Sequence, residues 1–202
     1  MKHAALGFRA HSGWAVLVAI AGPPDSPAVI DRRRIELADP RIPGSTQPYH
    51  AAAELDLKEA EKFLKRCIDG ARLLARQALC AAIDELRAKG HKPVACGLLL
   101  GSGRPATTLA KTLASHALIH TAEGELFRDV LAHASEYCNL PVRKVVEREL
   151  LSRGVTELGV AIDELLRRIT GLGKSIGPPW RLDEKHAALV GWLALAAASE
   201  RD

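Results

Sequence analysis

The sequence predicts an α/β fold: a central five-stranded mixed sheet, three antiparallel strands and then two parallel ones, flanked by helices. Three observations carry that expectation. The chain opens on three short apolar segments separated by turn residues, the pattern of antiparallel strands joined in series. Past a long helical stretch comes the run Val94-Ala95-Cys96-Gly97-Leu98-Leu99-Leu100, a continuous apolar segment bounded by glycines that suits a strand covered on both faces. A second helical stretch then leads to Pro141-Val142-Arg143-Lys144-Val145-Val146, a short fifth strand. The order is β-β-β-α-β-α-β-α-α.

Taken in sequence, Leu6-Gly7-Phe8 and Trp14 to Ile20 read as two strands joined by the polar turn Arg9-Ala10-His11-Ser12-Gly13. After the turn cluster Gly22-Pro23-Pro24, Ala28 to Leu37 reads as a third strand. Its alternation sends Arg32 and Arg34 to one face and Arg33 to the other, which suits a sheet edge with at least one wet face. Asp39 to Pro48 is loop, and Tyr49 to Lys89 carries one long helical pattern, with Gly70 as a weak point and Gly90 as its stop. A helix from about Ala106 to Asn139 follows the central strand. Glu147 to Ser152 reads as a helical turn, Glu157 to Thr170 as a helix, Gly171 to Pro179 as a loop, and Leu182 to Ser199 as an alanine-rich closing helix.

Composition bounds the function. At 202 residues, with 48% hydrophobic and 26% charged side chains, the expectation is one domain over residues 1–202 with a full core. No segment reaches the roughly 18 uninterrupted apolar residues of a membrane span, so a soluble cytoplasmic protein with no membrane partner is expected. Cys67, Cys80, Cys96 and Cys138 are widely spaced and form no CxxC pair, and they read as buried free thiols. A formal charge of +4 and a pI near 9.0 are compatible with an anionic partner. With aromatic residues at 4% of the chain, a stacking platform for single strands is not expected, and any nucleic-acid contact would rest on Arg and Lys against phosphate.

On the helix after the central strand, His116, His120, Glu123 and Phe127 fall at i, i+4, i+7 and i+11, on one face. The two histidines match helical metal-ligand spacing. No third and fourth ligand is identifiable in the sequence, although folding could bring His50, Glu125 or His186 close, so packing is the preferred reading and no metal is expected. Gly171-Leu172-Gly173-Lys174-Ser175 ends like a phosphate loop, but Arg168 stands where the first glycine belongs and a helix precedes it. A Walker motif is rejected.

The order of elements resembles the ribonuclease H-like superfamily, and local detail resembles the RuvC-like bacterial Holliday-junction resolvases within it. Leu6-Gly7-Phe8-Arg9-Ala10-His11-Ser12-Gly13-Trp14-Ala15-Val16 resembles the family's first hairpin, with its Gly-hydrophobic-Asp start. Ala122 to Val146, including Asn139-Leu140-Pro141-Val142, resembles the helix and strand after the central strand. Asp183-Glu184-Lys185-His186-Ala187-Ala188-Leu189 resembles a closing helix that opens Asp-x-x-Asp-Ala-Leu.

The resemblance implies phosphodiester cleavage with two Mg²⁺ ions held by about four acidic ligands, or three acids and a histidine. This chain departs from that set: Arg9 stands at the first-strand acid, Leu98 to Leu100 offer no carboxylate, and His186 replaces the second acid after Asp183. A guanidinium 4 Å from a dication repels it by ~2 kcal/mol even in water. The expectation is therefore a catalytically degenerate resolvase-like protein that binds nucleic acid or another phosphate-bearing ligand. Two arrangements of the site stay open. Arg9, His11, Ser102, Arg104 and Lys111 converge on an anion with the backbone N–H groups of Gly101 to Gly103, or Arg9 pairs with Asp183 and seals the site. By resemblance, Lys174 and Arg181 are backbone-contact candidates. Alternatives are a nuclease with relocated ligands among His116, His120, Glu123, Asp183 and His186, which alone would need Mg²⁺ or Mn²⁺, and a homodimeric module paired through the long helix.

Overall fold

The computed structural model describes residues 1–103 and 108–199. Strands β1 (Lys2–His11), β2 (Trp14–Ala21), β3 (Ala28–Glu36), β4 (His91–Leu100) and β5 (Val142–Val146) form one sheet in the order β3-β2-β1-β4-β5. The β1–β2 and β2–β3 pairs are antiparallel, and β4 runs parallel to β1 and to β5. The residues read as a turn from Arg9 onward instead continue β1 to His11, because Arg9, Ala10 and His11 pair with Val16, Ala15 and Trp14. Only Ser12 and Gly13 remain in the turn, with Gly13 at φ 80°. That change places Arg9 and His11 on a strand, two residues apart and on one face.

Both faces of the sheet are covered. Leu6, Phe8, Leu17, Cys96 and Leu98 pack under α2 (Leu57–Ala88) and α4 (His116–Tyr137), whereas Ala5, Val16, Val18, Ala95 and Leu99 pack under α7 (Leu182–Ser199). The alternation is strict, so Gly7, Arg9 and His11 face α7. Gly7 and Gly97 pair across β1 and β4, and α7 lies directly on them: a Cβ at Gly7 would stand 1.8 Å from the Ala187 carbonyl oxygen, and one at Gly97 2.2 Å from that of Val190. The helix is alanine-rich for this reason. Its backbone, not only its side chains, touches the sheet.

Two helices expected as single runs are each divided. The Tyr49 to Lys89 pattern becomes α1 (Pro48–Ala52) and α2, because the Asp56 side chain accepts the Glu59 N–H at 3.0 Å and starts a new helix there. Gly70 does not break α2; its missing Cβ leaves room for Asp39 and Ile42 of the preceding loop. The Ala106 to Asn139 stretch carries α3 (Leu109–Leu113), capped by Thr108, and then α4, with Ser115 in extended conformation between them. Beyond β5, a 3-10 turn at Glu147–Glu149 runs into α5 (Leu150–Leu158), and left-handed Gly159 separates it from α6 (Ile162–Leu172). The helix expected from Glu157 therefore starts five residues later, since a glycine at φ 65° ends the one before it. A second 3-10 turn covers Gly173–Ser175.

Cys67 and Cys96 are buried, but Cys80 and Cys138 are only half-buried and lie 3.5 Å apart, Sγ to Sγ. Burial pushes the Cys96 and Cys138 thiols up to about 12, so neither is a thiolate nucleophile at neutral pH. Among the described residues, no helix is long and apolar enough to cross a membrane.

Candidate functional site

The C-terminal ends of β1, β4 and β5 lie at one edge of the sheet, where the first turn of α7 begins. Open α/β folds place their sites at such an edge. Arg9 reaches it from β1, Asp183 and His186 from α7, where i, i+3 spacing puts them on one face, and Glu147 from the residue just after β5. Arg9 spends both arms of its guanidinium there. Nη1 lies 2.9 Å from Asp183 Oδ1, and Nη2 donates to Glu147 Oε1 at 2.8 Å. His186 Nδ1 lies 3.4 Å from Arg9 Nη1 and 3.4 Å from Glu147 Oε1. His11 Nε2 stands 3.2 Å from Asp183 Oδ2, within ion-pair reach but without hydrogen-bond geometry, and its ring stacks on Trp14 with centroids 4.2 Å apart.

Of the two arrangements left open by the sequence, the structure contains the direct Arg9–Asp183 pair. Arg9 is 16% exposed and its charge faces two carboxylates, so no free guanidinium is presented to an anion at this point. The same contacts place a fixed cation between Asp183 and Glu147. Glu147 escaped sequence reasoning because it looked like the start of a helical turn. Its position one residue beyond a strand's C-terminal end was the available signal.

Burial, reinforced by the Arg9 charge, lowers the His186 pKa below 6.5, while Glu147 and Asp183 oppose the shift. The unfolded chain therefore takes up this proton first. The stability His186 contributes is present above pH 6.5 and is lost as pH falls through its folded value. His186→Gln should lose less stability than the parent between pH 7 and about pH 5 in urea titrations. Equal losses would sink this assignment.

The remaining candidates separate. Ser102 is exposed just past β4, with no hydrogen bond to Arg9 among the described residues. Arg104 lies outside the described residues. Lys111 is on α3, which packs on α4 across the sheet from Arg9. Arg128 sits against Gly101 and Gly124 and pairs with Glu125 at 3.7 Å.

Beside the Arg9 cluster runs a groove of about 470 Å³ lined by Trp14, Arg32, Arg34 and Arg181 and also by Asp183 and Glu184. As the strand alternation predicts, Arg32 and Arg34 share this side, while Arg33 turns to Glu85 of α2 at 2.6 Å. Arg32 donates to the carbonyls of Gly177, Pro178 and Pro179, contacts that hold it in place without neutralising it. Arg34 lies over the Trp14 ring at 3.9 Å and also pairs with Glu36. The side chains of Arg181 and Lys174 are exposed, and among the described residues no carboxylate pairs with either.

On the other face of the sheet, His116 and His120 do meet a third histidine. His50 of α1 stands against both, and its Nδ1 lies 2.9 Å from Glu123 Oε1. Of the other two groups named for this role, Glu125 is engaged with Arg128 and His186 belongs to the Arg9 cluster.

No protein-family model matches the chain, and no curated protein matches it either. Solved structures do. The Thermus thermophilus RuvC structure superposes with a TM-score of 0.56 at 11% identity, over 98% of this chain and 96% of that one. The structure of T. thermophilus RuvC in complex with Holliday junction substrate gives the same values.

Proposed function

From the RuvC-like ribonuclease H-like fold that this chain carries, we propose that it binds the phosphate backbone of nucleic acid and does not cut it by the two-metal route. The observation behind this reading is the Arg9 cluster: the guanidinium occupies Asp183 and Glu147 together, and β4 ends on Leu98 to Leu100 with no acid to replace them. Two-metal cleavage needs carboxylates free to compensate both the attacking and the leaving oxygen. Adjacent to the occupied acids, Arg32, Arg34 and Arg181 line a groove beside Trp14, and Lys174 lies on the same loop as the carbonyls that hold Arg32. A groove of this charge suits phosphate contacts, which position a nucleic acid without reading its sequence.

The junction-bound neighbour makes branched DNA the first probe. Fluorescence anisotropy with a four-way junction, a duplex and a single strand should show binding that weakens as salt rises from about 50 mM. Lys174→Glu with Arg181→Glu should reduce the slope of log K against log salt by about one for each contact removed. No binding at low salt, or binding that ignores both salt and these substitutions, would overturn the proposal. Cleavage of the same DNAs with Mg²⁺ or Mn²⁺ would favour the relocated-ligand nuclease instead.

A further inference from the structure

The three histidines on the α1–α4 side are unlike the rest of the polar surface. His50, His116 and His120 each offer a ring nitrogen such that all three atoms lie within 4.8 Å of one another, and the Nε2 atoms of His116 and His120 are 3.0 Å apart. The rings stand nearly edge-on, with centroids 4.4 to 5.3 Å apart and interplanar angles of 66° to 81°. A tetrahedral ion with nitrogen bonds of 2.0–2.1 Å needs ligand atoms about 3.3 Å apart, so small rotamer adjustments bring these nitrogens to a common centre.

Glu123 supplies the second, independent observation. It is 1% exposed, a depth at which a carboxylate is rarely found without compensation. Its Oε1 accepts the His50 backbone N–H at 3.2 Å and faces His50 Nδ1 at 2.9 Å. Its Oε2 is buried with no hydrogen-bond partner among the described residues. A carboxylate facing Nδ1 holds the ring proton there and leaves Nε2 as the lone pair that can ligate an ion. This is the carboxylate–histidine–metal arrangement that orients ligating imidazoles. The N-terminal end of α4 disfavours a cation by only a fraction of a charge.

We propose that His50, His116 and His120 form a binding site for a borderline divalent transition-metal ion, Zn²⁺ above all, with Glu123 orienting His50. An all-nitrogen donor set selects against Mg²⁺ and Ca²⁺, which prefer oxygen. Because His116 and His120 are exposed, the ion enters from solvent and keeps an outer position for water. The ion would also staple the five-residue helix α1 to α4. The site stands on the opposite face of the sheet from Arg9 and is independent of the nucleic-acid reading.

The test uses the untagged full-length chain, titrated with Zn²⁺ by calorimetry and with Co²⁺ by visible absorption, alongside thermal melts. One ion per chain is expected, with a rise in Tm given by Zn²⁺ and not by Mg²⁺, and with weaker binding at acid pH as protons compete for the imidazoles. Glu123→Gln should weaken binding roughly 10–100-fold, and His116→Ala or His120→Ala by more. The two histidines are exposed, so circular dichroism of those variants should be unchanged. No binding of Zn²⁺ by the parent chain, or equal affinity in the His116→Ala/His120→Ala double variant, would overturn the site.

Discussion

Gly7→Ala and Gly97→Ala are each expected to prevent stable folding. An added Cβ would overlap the α7 backbone, at 1.8 Å from Ala187 O in one case and 2.2 Å from Val190 O in the other. These are main-chain atoms within a helix, so no rotamer change relieves the clash. Gly191 closes the same contact from the helix side, where its Cβ would lie 3.0 Å from Gly7 N. Overpacking a core by small groups costs about 1–3 kcal/mol, and forcing a buried helix off the centre of the sheet costs at least the upper end of that range. Gly171→Ala is the control, since nothing lies within 4 Å of its Cβ position near the end of α6. There the change should be neutral or stabilising by up to about 1 kcal/mol, because alanine favours a helix more than glycine does. Urea unfolding of the three variants checks the order, and a Gly97→Ala protein as stable as the parent would refute this account of how α7 docks.

Replacing Arg9 should have the next largest effect. Arg9→Met leaves Asp183 and Glu147 facing each other at a half-buried edge, 31% and 41% exposed, without the charge that holds them. Breaking a fully buried pair costs about 3–5 kcal/mol, and partial exposure reduces that to about 2 kcal/mol here. Arg9→Asp should cost more, about 3 kcal/mol, since it adds a third carboxylate to the same place. Millimolar Mn²⁺ should recover part of that loss in Arg9→Asp and do nothing for the stability of the parent through this edge. Cleavage should not appear, because β4 still contributes no acid. A parent and an Arg9→Met variant with the same urea midpoint would show that the cluster carries no stability. Equal Mn²⁺ responses in the parent and Arg9→Asp would show that Arg9 does not occupy the place of a cation.

Much of the architecture was legible because it depends on local patterns. The glycine-bounded apolar run Val94 to Leu100, the alternation of Arg32 and Arg34 against Arg33, and the closing helix Leu182 to Ser199 all stand as the pattern indicates. The divisions in the long helices were harder to read. Asp56 and Ser115 interrupt apolar patterns that continue past them, and a cap is recognised by its hydrogen bond or backbone conformation more than by its residue type. Glu147 was missed as a site member for a different reason, and His50 was named only as one of three groups that folding could bring to His116 and His120. Each lies in a segment with no chemical signature of its own, and its role comes from what it faces.

The sequence by itself determined the sheet and its two-sided burial, since periodicity is a property of short segments. Only the tertiary structure decided that Arg9 meets His186 and Glu147, 177 and 138 positions away, and that His50 meets Glu123 across 73. The Arg9 meetings follow from the parallel crossovers and from α7 lying on Gly7 and Gly97, which bring distant strand ends and a helix start to the same edge, whereas His50 meets Glu123 on the other face of the sheet, where α1 packs on α4. A charge or an imidazole acquires its chemistry from its neighbours within a few ångströms, and for these residues every deciding neighbour is remote in sequence.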